Sequence, residues 1–209
     1  MLVNKPYVIG LTGGIGCGKS EAAHYLNQLG AAHLDADDIS RSLTGKDGAA
    51  LPEIRRVFGD DFFTPDGELD RGKLGAYIFA DEAARRALEG IIHPLVQRRM
   101  LEDMDAAALD GKRVVILDVP LLFETGMDAL CDETWTLYVD RQTQLERVMA
   151  RDGLSAEEAQ ARIDSQMSSE ERNARATRAI NTDQPIERTR AELEQLYRAA
   201  AKRAEKSEG

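Results

Sequence analysis

The sequence predicts an α/β fold: a parallel five-stranded sheet flanked by helices, joined to a helical region and a helical lid. Three observations predict it. Short apolar β-type runs alternate with helical segments along the chain. A glycine cluster links the first such run to the first helix. One run, Val114 to Val119, is continuous enough in apolar residues to be buried on both faces, as in a parallel sheet.

The elements follow in order. Tyr7 to Thr12 (YVIGLT) reads as the first strand, and Gly13 to Gly18 as a turn. The next segment, KSEAAHYLNQLG, puts Ala22, Ala23, Leu26 and Leu29 on one helical face, with Gly30 as a stop. Ala31 to Leu34 is a second strand ending in Asp35-Ala36-Asp37-Asp38. From Ile39 to about Asp110 the pattern is mostly helical, with loops at Gly59, Pro65-Asp66-Gly67 and Gly72. Leu88, Ile91, Ile92, Leu95, Val96 and Met100 keep a helical period, and Pro94 among them predicts a kink or a restart. Thr134 to Asp140 is a fourth strand. Arg141 to Glu171 is helical and rich in Arg, Glu and Gln; Ser155 with Glu158 makes a capping box that opens a helix there. Ala179-Ile180 is a short last strand. The final helix starts after Pro185, with Ile186, Leu193, Leu196 and Tyr197 on one stripe, and the closing KRAEKSEG is expected to fray.

Composition narrows the function classes. The chain has 209 residues, 43% apolar and 31% charged, which suits a folded domain rather than a disordered tail. Lys plus Arg is 27 against 37 for Asp plus Glu, a net charge of −10. General nucleic-acid binding needs cations facing phosphates, so no nucleic-acid partner is expected. Val114 to Phe123 is the longest apolar stretch and is too short for a bilayer, and the N-terminus carries no leader pattern. Cys17 and Cys131 form no C-x-x-C pair and read as free thiols. The expectation is a cytoplasmic protein with no membrane partner, a monomer or weak homo-oligomer.

Gly13-Gly14-Ile15-Gly16-Cys17-Gly18-Lys19-Ser20 fits G-x-x-x-x-G-K-[ST] without a gap, between a strand and a helix. Glycines let successive N–H groups curl around one anion, and the helix adds its positive end. Lys19 reaches outer phosphates, and the Ser20 hydroxyl suits Mg²⁺. The fold class is therefore of P-loop NTPase type, with ATP as co-substrate and Mg²⁺ as cofactor. A GTPase needs [NT]-K-x-D after a strand; Asn4-Lys5-Pro6-Tyr7 lacks the acid and precedes the first strand. A small-molecule kinase fits best, with a non-catalytic nucleotide-binding switch as the other class. On this reading Lys19→Ala removes most phosphoryl transfer and leaves the fold intact.

Other residues carry two readings. Asp35 and Asp37 lie where a kinase wants a carboxylate for the attacking hydroxyl or for magnesium through water; Asp37 or Asp38 equally suits a helix cap. Asp118 ends its strand as a magnesium ligand would, or is a turn residue before Pro120. Arg147, Arg151, Arg162, Arg172, Arg175 and Arg178 are lid arginines for phosphate or solvated partners of nearby acids. His93 before Pro94 is a substrate contact or a packed side chain.

Taken together, IGLTGGIGCGKS, DADDISR, Phe58-Gly59 with DGELDR, IIHP, PLLFE, QLERVMARD, RIDSQM and Ala179-Ile180-Asn181 resemble the dephospho-coenzyme A kinase family, in order and over about 175 residues. The resemblance implies transfer of the ATP γ-phosphoryl to the ribose 3′-hydroxyl of dephospho-CoA, and so ATP and dephospho-CoA as partners. It implies a nucleotide core (1–36, 111–140 and 173–209), an acceptor region (37–110) and a lid (141–172). It makes Asp37 the base and Asp35 a supporting or water-mediated magnesium contact. Asp35, Arg41 and His93 fall on the acceptor side. Arg147 becomes a catalytic lid residue, and Arg151 and Asn181 become ATP contacts beside the Gly13–Ser20 loop. Another small acceptor, a nucleoside or metabolite, is the alternative within the kinase class.

Overall fold

A computed structural model describes residues 5–206; the first four residues and the last three of the KRAEKSEG tail lie outside the described residues. The chain divides into two compact units. One is the chain up to Leu34 and from Met104 onward; the other is Asp35–Asp103. The segment read as a lid belongs to the first of these, with the sheet.

The first unit is built on the sheet. Its strands are β1 (Tyr7–Gly13), β2 (Ala32–Asp35), β3 (Val114–Asp118), β4 (Glu133–Tyr138) and β5 (Arg178–Asn181). Their spatial order is β2-β3-β1-β4-β5. β1 runs parallel to β3, with Leu11 opposite Asp118, and parallel to β4, with Gly13 opposite Leu137. β3 is buried along its length, as its unbroken apolar run requires.

Helix α1 (Lys19–Gln28) buries Ala22, Ala23 and Leu26 against this sheet. Ile9, Leu11, Trp135, Leu137, Ile180 and Leu193 complete that core. Trp135 is fully buried, and its indole N–H donates to Glu133 Oε2 at 2.9 Å, so the ring is packed without an orphaned donor. The last helix (Ile186–Lys206) turns Thr189, Leu193, Ala200 and Ala204 inward. Ile186, expected on that stripe, is 43% exposed: it stands in the first turn, beyond the sheet.

The Arg141–Glu171 stretch is not one helix. It forms Arg141–Asp152, Ala156–Asp164 and a short helix from Ser169 to Arg175. Gly153 ends the first with φ 66°, and Ser155 opens the second with the expected reciprocal capping box. Val148, Ala159 and Ile163 form a small core of their own there.

The second unit is helical. Its helices are α2 (Ala36–Leu43), α3 (Leu51–Phe58), α4 (Arg71–Ala80) and most of α5 (Glu82–Leu109). Chain order makes the later helices α6 (Arg141–Asp152), α7 (Ala156–Asp164), α8 (Ser169–Arg175) and α9 (Ile186–Lys206). α5 runs on through Pro94 as one helix, so it does not restart there. The carbonyl facing the proline ring belongs to Gly90, which has no side chain to add to the crowding. Gly72, read as a loop marker, lies in the first turn of α4, which Asp70 caps. Phe58, Phe62 and Tyr77 pack edge-on and tilted, with centroids 5.2–6.4 Å apart. No helix of the described residues is long and apolar enough to cross a membrane.

Candidate active site

The cradle begins where β1 ends. A Cβ on Gly13 would stand 2.9 Å from the Leu137 carbonyl oxygen, and neither strand can move, so glycine is required there. Gly18 has φ 80° and is the N-cap of α1, with no side-chain cap. The first N–H groups of α1 therefore have no acceptor within their own helix. With the helix dipole behind them they form an anion site.

Side chains from the lid segment hold the loop from outside. Gln144 on α6 is 3% exposed, and its Nε2 donates to the Ile15 carbonyl at 2.9 Å. Gln166 Oε1 accepts from the Ile15 N–H, also at 2.9 Å. The Ile15 side chain packs on the Val148–Ala159–Ile163 core. Thr182 Oγ1 donates to the Cys17 carbonyl at 2.9 Å. The Ile15 N–H is thus committed to Gln166 rather than open to an anion. The Cys17 N–H, too, turns back to the Gly14 carbonyl at 3.1 Å. Gln144, Gln166 and Thr182 were not singled out from sequence, because glutamine in a polar helix carries no local sign of burial.

Lys19 is ion-paired with Asp118 Oδ1, and Asp118 is 1% exposed. Its other oxygen, Oδ2, lies 3.1 Å from His33 Nε2. Burial alone would raise the Asp118 carboxyl; the His33 hydrogen bond and the Lys19 charge outweigh it and hold the group below its ordinary value. An ionised carboxylate only accepts, so His33 Nε2 carries the hydrogen. Of the two sequence readings of Asp118, the turn residue gives way to a buried anchor for the loop lysine. Cys17 is fully buried, and burial raises its thiol, so it fills space beneath the loop.

The remaining predicted residues sort by unit. In the helical unit, Asp35 caps α2: its Oδ1 accepts from the N–H groups of Asp37 and Asp38 at 2.8 and 3.1 Å. The cap is therefore neither Asp37 nor Asp38. Asp37 stands in the first turn of α2, and Asp38 pairs with Arg41 at 2.5 Å. His93 is exposed on α5. In the sheet unit, Ser20 is exposed in the first turn of α1. Arg147 lies over the loop, 3.5 Å from the Gly16 carbonyl and 3.4 Å from that of Thr182. Arg151 is instead bidentate on Asp152 at 2.7 and 2.9 Å. The Asn181 side chain accepts from the Asp183 N–H at 2.8 Å.

Comparison with known proteins gives one family. The dephospho-CoA kinase family model matches residues 7–188. The chain is 46% identical to the dephospho-CoA kinase of Symbiobacterium thermophilum, over 92% of this chain and 81% of that one. It is 40% identical to that of Geobacillus kaustophilus, over 88% and 92%. Among solved structures it is similar to the dephospho-CoA kinase of Campylobacter jejuni, with a TM-score of 0.65 and 26% identity over 95% of this chain and 99% of that one. A Thermus thermophilus protein gives a TM-score of 0.78 at 33% identity, over 91% and 96%. An Acinetobacter baumannii shikimate kinase, at 20% identity and a TM-score of 0.52 over 92% of each chain, shares the fold.

Proposed function

Because the chain belongs to the dephospho-CoA kinase family, we propose that it transfers the γ-phosphoryl group of ATP to the ribose 3′-hydroxyl of dephospho-CoA, giving CoA and ADP. The observation that carries this is the uncapped start of α1 behind a left-handed Gly18, with Lys19 and Ser20 as its first residues. A helix start with free N–H groups and a lysine in its first turn attracts phosphate.

The chain's own groups divide the work. The N–H groups at the head of α1 bind the phosphates. The Lys19 ammonium, seated on Asp118, turns to the outer phosphates as they arrive. Arg147, Arg151 and Asn181 are candidates for the rest of ATP, and of these Arg147 is the one that already faces the loop. Mg²⁺ is a hard cation that takes oxygen donors and keeps several waters, and the exposed Ser20 hydroxyl fits that demand. When bound, the ion neutralises charge on the phosphates. Asp118 is committed to Lys19 and His33, so it acts through its charge rather than as a direct ligand.

On the acceptor side we assign Asp37 as the base that aligns the 3′-hydroxyl, with Asp35, Arg41 and His93 binding the rest of dephospho-CoA. Asp35 performs the capping, which leaves no structural need for an acid at 37 as a cap. Asp37→Asn is expected to lower kcat about 10²-fold or more with little change in ATP affinity. Unchanged turnover would remove the assignment. The reaction itself is tested by incubation with Mg·ATP and dephospho-CoA, with product identified by mass. CoA formed in step with ADP is expected; ADP release independent of the acceptor would overturn the reading.

A further inference from the structure

The lid-segment arginines differ in what balances their charge. Arg141 pairs with Asp164, and Arg151 and Arg162 both pair with Asp152. Arg175 lies 4.6 Å over the Phe123 ring near the surface. Arg172 is unlike these. It is 2% exposed, and among the described residues it makes no ion pair. Its Nη2 donates to the Met167 carbonyl at 2.6 Å, while its Nε is buried with no hydrogen-bond partner. Its Nη1 lies 3.3 Å from where a Cβ on Gly14 would stand.

A guanidinium stays charged at any physiological pH. Burial lowers the Arg172 pKa, and Glu124 and Glu171 act on it only from beyond ion-pair reach. A full positive charge is therefore held against the first residues of the cradle without a counter-ion. A buried charge of this kind is strongly unfavourable unless an anion meets it. The cavity that Arg172 lines, about 790 Å³, also carries Asp140, Asp164 and Asp183, which disfavour a free inorganic anion. The anion that fits is one already gripped by the neighbouring N–H groups.

We propose that Arg172, buried beside Gly14, is a catalytic residue that contacts the phosphate chain of the nucleotide, its unpartnered Nε–H completing the cradle. The proposal rests on the kinase reading of the loop. It assigns the phosphate contact to an arginine the sequence offered only among six. Arg147, by contrast, lies on the carbonyl oxygens of Gly16 and Thr182.

The test uses the full chain and two probes, Mg·ADP and a non-hydrolysable Mg·ATP analogue. Arg172→Met removes the charge and keeps the volume. A charge without a counter-ion does not stabilise the free protein, so the melting temperature without nucleotide is expected to stay level or rise. Affinity for the ATP analogue is expected to fall at least tenfold. Arg172→Lys keeps a charge but loses the planar fork, and is expected to lower kcat at least tenfold. Added guanidinium ion is expected to restore part of the activity of Arg172→Ala, an effect that a purely structural arginine would not produce. Arg172→Lys with unchanged kcat and unchanged affinity for the analogue overturns the proposal. So does Arg172→Met that melts well below the parent yet binds both nucleotides normally. Nucleotide binding needs no acceptor. A failure on dephospho-CoA with the affinity loss intact would therefore count against the substrate assignment and not against Arg172.

Discussion

Asp118 has one oxygen on Lys19 and the other facing His33, so removing the ammonium leaves a buried carboxylate without its lysine counter-ion. Sequence alone predicts that Lys19 can be replaced without harm to the fold; the structure does not. Lys19→Met is expected to destabilise the protein by about 3 kcal/mol, the scale for breaking one side of a buried pair. Lys19→Met with Asp118→Asn should recover much of the loss, because no uncompensated charge remains. Urea denaturation measures both, and a Lys19→Met protein as stable as its parent would contradict the pairing. Cys131 gives a second residue-scale test. Burial, reinforced by the carboxylates of Asp128 and Asp132, pushes its thiol up to about 12 from 9.0. A raised pKa favours the protonated thiol in the folded state. This group is therefore neutral to stability below pH 9 and lowers it progressively as pH climbs from 9 toward 12. Cys131→Ala should flatten that alkaline fall in melting temperature, and the native thiol should resist Ellman's reagent at pH 8.

The elements that matter most are the Gly13–Gly18 loop and the lid-segment helix α6, because Ile15 belongs to both. Its two backbone groups are bound by Gln144 and Gln166, and its side chain is part of the small α6–α7 core. α6 and the approach to α8 thus form a wall of the cradle. Gln166→Leu leaves the Ile15 N–H without its acceptor. Amide exchange at Ile15 is expected to speed up by at least tenfold, and the KM for ATP to rise a few-fold with kcat less affected. Exchange unchanged at Ile15 would mean that the loop holds its shape by itself. This wall was not legible in the sequence. Strand, glycine loop and α1 are local: period, glycine and the following Lys-Ser act within a few residues of one another. The grip of Gln144, Gln166 and Thr182 on the loop joins residues more than a hundred positions apart, and no short-range pattern records it. The Ser155–Glu158 box was legible because its two partners lie three residues apart.

Across the whole molecule, alternating strands and helices predicted the five-stranded sheet. Continuity was legible in part: α5 does not restart at Pro94, while the arginine-rich stretch opens a new helix at Ser155 as its capping box requires and breaks again at Ser168, which the pattern did not mark. Net charge is equally blind to position. A net charge of −10 conceals a local site where an uncapped helix start, Lys19 and a buried arginine stand together, because composition averages over position. The most direct test of that site is an amide map of the full chain by ¹⁵N NMR, titrated with Mg·ADP. The account predicts that the largest shifts fall on Gly16, Gly18, Lys19 and Ser20, while the Ile15 amide stays protected on Gln166. Shifts centred away from the head of α1, with these amides unmoved, would contradict it.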